Sequence, residues 1–164
     1  MRIIKLGIIS LIIFFIVITL LSLLIPSKVR ISRAVNISAE KDSIVNALAD
    51  LRRWEDWNYM VSDSLHPNPV YEYNVIHSDD LQVEIRRSKP DTLITVWHKK
   101  AGRDIAGGFT WQTSGNVTVV QWYFDFTLQW YPWEKFSSIL FDKQLGPQME
   151  RSLRELKTML ERRP

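Results

Sequence analysis

The sequence contains no cysteine, which removes disulfides, thiol nucleophiles, a lipid-carrying cysteine and every Cys-based metal site. It has only three histidines, His66, His77 and His98. No two share a metal-ligand spacing on a helix, and no H-E-x-x-H run exists. His66 precedes Pro67 in a loop and His77 borders a turn, so both read as solvated; His98 falls within a strand. No serine sits in a G-x-S-x-G elbow, so hydrolase chemistry has no support. Gly102 and the pair Gly107-Gly108 make no phosphate-binding pattern. Internal repeats and low-complexity tracts are missing as well. These absences leave no catalytic residue, metal ligand or cofactor to name.

Excess charge is also scarce. The formal net charge is +3, and without Arg2 and Lys5 the remaining 19 basic residues face 18 acidic ones. No basic block with interleaved aromatics occurs, so nucleic acid is not an expected partner.

What the sequence does have is apolar. Leu6 to Ile25 is a run of twenty residues without a charge, ending at Pro26-Ser27-Lys28. A helix of that length spans the hydrocarbon core of a bilayer, about 30 Å. The run is longer than the apolar part of a signal peptide and lacks the small residues of a cleavage site. Residues 1–27 are therefore expected to form a single transmembrane anchor and residues 28–164 one domain. Arg2, Lys5 and the α-amino group before the span nearly balance Lys28, Arg30 and Arg33 after it; the short basic N-terminus modestly favours a cytoplasmic start and a domain on the other side.

Beyond the anchor, Val29 to Ile37 alternates as a half-buried strand, with Arg33 the misfit on its apolar side. Ser38 reads as an N-cap for a short helix carrying Ile44, Val45, Leu48 and Leu51, and a second helical piece runs to Trp57. Five strands follow: Val70 to Ile76, Leu81 to Arg87, Thr92 to Lys99, Ile105 to Thr113 with a bulge or bend at Gly107-Gly108, and Val117 to Trp130. Short loops between them predict an antiparallel meander.

The chain closes on a helical signal from Pro132 to Arg162, with Met149, Leu153, Leu156 and Leu160 on one stripe. An earlier stripe of Trp133, Phe136 and Leu140 is out of phase with it. Gly146-Pro147 lies between the two, which predicts a bend or short break there. The two stripes are expected to meet different surfaces, the second of them the sheet. The fold class is thus α+β: about six antiparallel strands wrapped around a long C-terminal helix, after one transmembrane helix.

The segment Asn36-Ile37-Ser38-Ala39-Glu40-Lys41-Asp42-Ser43-Ile44-Val45, followed by Asp50, Trp54 and Trp57, resembles the opening of the START/Bet v 1-like (SRPBCC) superfamily, including polyketide cyclase/dehydrase-like proteins. Glu40 stands where the family pattern has proline. Leu145-Gly146-Pro147 with Leu153, Leu156 and Lys157 is similar to that group's C-terminal helix, and the likeness extends from Val29 to the end. The strand run is one shorter than the family's full sheet. The resemblance implies a helix-grip fold with an apolar cavity between sheet and helix, holding a hydrophobic small molecule or lipid. Trp54, Trp57, Trp97, Trp111, Trp122, Phe124, Phe136 and Leu140 are the candidate lining, with the stripe of Trp133, Phe136 and Leu140 expected at the cavity mouth and the short helices. The same aromatics would equally serve as core filling. Two other roles stay open. One is a cyclase or dehydratase, with His98, Arg87 or Asp125 for acid–base work. The other is a membrane-anchored interaction module with exposed aromatics.

Overall fold

A computed structural model describes residues 2–162 of the chain. Helix α1, Arg2–Ser22, carries the apolar run and has no acidic residue in its first turn. Its side chains from Ile3 to Val17 are exposed. Strand β1, Lys28–Ile37, follows Pro26 and buries Ile31 and Ile37 on its inner face.

Helix α2, Lys41–Ala49, begins later than the sequence suggests. Ser38 does not cap it; the Ser38 amide instead donates to Glu161 Oε1 (2.7 Å), and Glu40 occupies the cap position in extended conformation. Two 3₁₀ turns come next, and each is capped from its own sequence. Asp50 accepts from the Arg52 amide before Leu51–Asp56, and Asn58 accepts from the Met60 amide before Tyr59–Val61.

Seven strands form one antiparallel sheet in the order β1-β7-β6-β5-β4-β3-β2. The members after β1 are β2 Val70–Tyr71, β3 Val75–His77, β4 Leu81–Lys89, β5 Thr92–Lys99, β6 Ile105–Ser114 and β7 Val117–Thr127. The count exceeds six because the Val70–Ile76 stretch is not one strand. The Glu72 amide donates to the Val75 carbonyl (2.9 Å), and the chain doubles back there as a small hairpin. The last strand stops at Thr127, short of Trp130, where the Leu128 amide donates to Ser27 O (2.7 Å) as the chain leaves the sheet.

The expected bulge at Gly107-Gly108 is not there; that segment pairs in register with both neighbours. A side chain at Gly107 would meet the Phe124 ring, and one at Gly108 would strike the Leu93 carbonyl and the Tyr123 hydroxyl. The glycines mark close approach rather than a kink. The register shift lies instead between Ile85 and Arg87 in β4.

The C-terminal helical region is also broken elsewhere than expected. Helix α3, Pro132–Ser137, passes through a 3₁₀ turn at Ser138–Leu140 into helix α4, Phe141–Glu161. Pro147 sits inside α4 without ending it. Arg33 from β1 braces this stretch. Its guanidinium lies over Gly146 and bridges Asp142 (2.9 Å) and Glu150 (2.7 Å), so two salt bridges clamp the helix on either side of the proline. The misfit arginine of β1 is thus the partner of the helix. Met149, Leu153 and Leu156 of α4 are buried against the sheet, as their stripe predicts, and Leu160 packs at its end.

Candidate functional site

Between sheet, α2 and α4 lies a block of aromatic rings. Trp54 and Trp57 from the first 3₁₀ turn meet Phe109 of β6 and Trp122 of β7, with Phe109 and Trp122 stacked at 5.1 Å. Trp97 of β5 touches Trp54, Trp122 and Phe124 at centroid distances of 6.2, 6.2 and 5.1 Å. All of these rings are buried. The alternation that faces strand residues inward supplies Trp97, Phe109, Trp122 and Phe124. The 3₁₀ turn folds Trp54 and Trp57 back under them. Their polar edges are satisfied unevenly. Trp54 Nε1 donates to Leu48 O (3.0 Å), Trp97 Nε1 to Thr95 Oγ1 (3.2 Å) and Trp111 Nε1 to Pro90 O (3.1 Å). Trp57 Nε1 and Trp122 Nε1 have no partner among the described residues.

At one end of this block the packing opens into a cavity of about 410 Å³. That falls within the range of small-molecule sites, roughly 300–1,000 Å³. Its apolar wall is Trp97, Ile105, Phe124, Phe126 and Leu145, with Met60 and Leu65 at the side of the second 3₁₀ turn. Its polar groups are His66, Lys99, Gln144 and Gln148, with no carboxylate among them. Three larger depressions, of about 430, 610 and 650 Å³, are lined mainly by Thr, Gln, Ser and charged side chains.

The register fixes where the cavity opens. Lys28 pairs with Thr127, Trp97 with Ile105 and Leu81 with Lys99, so all of these residues mark the same end of the sheet. That is the end from which α1 departs. The cavity mouth and the apolar helix therefore share one end of the domain.

Of the eight candidate lining residues, the structure brings Trp97 and Phe124 to the cavity wall. Trp54, Trp57 and Trp122 lie deeper, in the ring block, and Trp111 is buried beside Pro90 towards the other end of the sheet. Phe136 and Leu140 stand on the outer side of α3 and the turn after it, and Trp133 is outside with them. The stripe expected at the cavity mouth thus points away from it.

The residues considered for acid–base work are not at the cavity. Asp125 pairs with Arg30 through two hydrogen bonds of 2.7 Å, and Arg87 is exposed past the register shift. His98 lies between Asp104 (2.9 Å) and Glu84 (3.3 Å), which raise its pKa, the bond to Asp104 most. His66 is the histidine that does line the cavity. Its Nδ1 donates to Asp80 at 2.9 Å, and this bond holds the Asp80 carboxyl below its ordinary range. Its position before Pro67 in an irregular loop carries no sequence signal for that role. Only the packing of the loop onto the sheet end brings it in.

No family model matches the chain, and no curated protein matches its sequence. Solved structures do share its fold. CalU16 from Micromonospora echinospora superposes with a TM-score of 0.57 at 16% identity, over 82% of this chain and 76% of that one. DynU16 gives 0.56 at 20% identity, over 84% of this chain and 48% of that one. A START superfamily protein from Mycobacterium smegmatis gives 0.56 at 14% identity, over 80% and 97%. At these identities the likeness is one of fold. The chain has a START-like helix-grip architecture, preceded by an apolar N-terminal helix.

Proposed function

We propose that this protein binds a hydrophobic small molecule or lipid in the cavity between the sheet and α4, while α1 tethers it to a membrane. The observation that carries this reading is the cavity itself. Its wall is aromatic and aliphatic, its few polar groups can orient a head group, and it lies at the end of the sheet from which the apolar helix departs. A ligand drawn from a bilayer would travel only a short way. The short basic N-terminus with Arg2 and Lys5 supports a domain outside the cytoplasm, although Lys28, Arg30 and Arg33 flank the other side of the span.

The test is displacement of a fluorescent fatty-acid probe from the full chain in detergent or nanodiscs, with native mass spectrometry of what co-purifies. Leu145→Trp fills the cavity from α4 and is expected to abolish probe binding with the circular dichroism unchanged. Equal probe binding by both forms, with no apolar molecule released, would remove the proposal.

A second reading, an enzyme of cyclase or dehydratase type, is favoured by one specific feature. The His66–Asp80 pair at the cavity wall leaves the His66 Nε2 free of the carboxylate, the arrangement of a general base. DynU16 comes from the dynemicin biosynthetic locus, a setting consistent with small-molecule chemistry on this fold. In heavy water the protein would then label an acidic C–H of its recovered ligand, and His66→Gln would not. No labelling above the buffer rate by the unaltered protein excludes this reading.

A further inference from the structure

Helix α3 is turned inside out relative to a helix on a water-facing surface. Lys135 in α3 and Ser138 in the turn after it are hidden, 3% and 6% exposed. Their large apolar neighbours are shown: Trp133 is 63% exposed, Phe136 39%, Ile139 61% and Leu140 49%, with Trp130 just before them at 59%. Outside α1 and its exit, nine large hydrophobic side chains are exposed among the described residues, and five of them fall within these eleven residues. Single exposed apolar residues are ordinary, but a contiguous group this size marks a surface that something covers.

The position of the group says what covers it. The hidden Lys135 Nζ donates to Ile25 O (2.7 Å) and Ser27 Oγ (2.8 Å), just past the end of α1. On α1 itself, Ile18, Thr19 and Ser22 lose exposure where α3 packs against that end. If Ile3–Ser22 crosses the hydrocarbon core, Ser22 marks its edge, and Ile18 lies about 6 Å deeper at 1.5 Å per residue. An element packed on that stretch sits at headgroup and upper acyl depth. Interfacial segments bury their apolar faces about 5–10 Å, and Trp and Tyr gather at that level. Trp130, Tyr131 and Trp133 form a run of ring contacts there, Trp130 tilted by 42° against Tyr131 and Tyr131 stacked on Trp133 at 4.9 Å.

We propose that Trp130–Leu140 is an interfacial collar that lies on the lipid bilayer at the foot of α1. It sets the domain's orientation and holds the cavity end of the sheet against the membrane. This rests on the tether reading above, and the experiment separates the two.

The chain has no cysteine, so one introduced thiol is the sole labelling site. Three single variants, Phe14→Cys in α1, Ile139→Cys in the collar and Asn116→Cys at the far hairpin, are labelled with the environment-sensitive dye NBD. Each full-length protein is then reconstituted in phosphatidylcholine–phosphatidylglycerol vesicles, with and without a nitroxide on the upper acyl chain. The proposal expects blue-shifted emission and loss of most of it to the nitroxide at positions 14 and 139, with neither change at 116. Quenching at 14 with water-like, unquenched emission at 139 overturns the collar and leaves the tether standing. A blue shift at 139 that the nitroxide does not quench overturns it in favour of a protein partner or a second copy. No quenching at 14 overturns tether and collar together.

Discussion

The molecule holds two groups of aromatic side chains with nearly the same composition and opposite fates. Trp54, Trp57, Trp97, Phe109, Trp122 and Phe124 are all within 3% of full burial. Trp130, Trp133 and Phe136, a few residues further along, are 39–63% exposed. The difference is one of support, not of residue type. The inner rings stand on adjacent strands and a turn folded beneath them, so each meets several others. The outer rings follow the end of β7, where no strand runs alongside. The inner group is held by burial of apolar area. The outer group contributes little to folding in water and is available for another phase. A chain can thus carry as many tryptophans as this one, seven, without their forming a single pocket.

The sharpest way to break this comparison is truncation. Trp122→Ala is expected to destabilise by about 3–5 kcal/mol, as loss of a buried aromatic does. Urea denaturation of the full chain in detergent measures it. A cost below that of an exposed substitution would mean the ring block is not the core. Leu153→Ala, on α4 in the same buried core, follows at about 2–5 kcal/mol.

A finer change sharpens the inner group alone. Trp54→Phe and Trp122→Phe remove similar volume, but the first takes away the donor that the Leu48 carbonyl uses, whereas the second removes an N–H that has no partner. A sealed, unpaired polar group costs about 1–3 kcal/mol, so Trp54→Phe is expected to be the worse by roughly 1 kcal/mol or more. Equal urea midpoints for the two variants would show that hydrogen bonding plays no part in ordering these rings.

Much of the architecture was legible because two periodicities carry it. Period-two alternation marks β1 and β4 to β7, and the stripe Met149, Leu153, Leu156 marks α4, since each reports one buried face. What escaped notice depends on residues far apart in sequence. Pro147 looks like a helix end until Arg33, from β1, clamps both sides of it. Trp130 continues the alternation of β7, but Leu128 has already turned to pair with Ser27. The cavity was legible only in kind. Two of its wall rings, Trp97 and Phe124, follow from strand phase, whereas His66 and Leu145 meet there through loop and helix placement that no local pattern encodes.

The Arg33 clamp gives a pH-dependent test. Its hydrogen bond holds the Asp142 carboxyl below the ordinary carboxylate range. A depressed folded value contributes stability that is present above that range and is lost as pH falls through the folded value. Arg33→Met is therefore expected to flatten the acid side of the stability–pH curve while leaving its shape at higher pH unchanged. Asp142 is 59% exposed, so the effect is small and shrinks further in high salt. A curve of unaltered shape in low salt would assign the clamp to packing over Gly146 alone.

The smallest expected effect belongs to the outer group and tests its independence. Trp133→Ser removes a ring that is 63% exposed and stacked only on Tyr131. Aromatic pairs contribute about 0.5–1.5 kcal/mol beyond their buried area. Here most of the ring faces outward, so the change in detergent-free stability of the domain is expected to stay within about 0.5 kcal/mol, as for other surface positions. Phe136→Ser is expected to behave alike. The measurement is chemical denaturation of residues 28–162 beside the full chain, after circular dichroism has shown that the shorter form folds. A loss at Trp133 comparable to that at Trp122 would mean that the outer rings help hold the fold together. The two groups would then be one core with an exposed edge, and the exposed aromatics would need no partner to explain them.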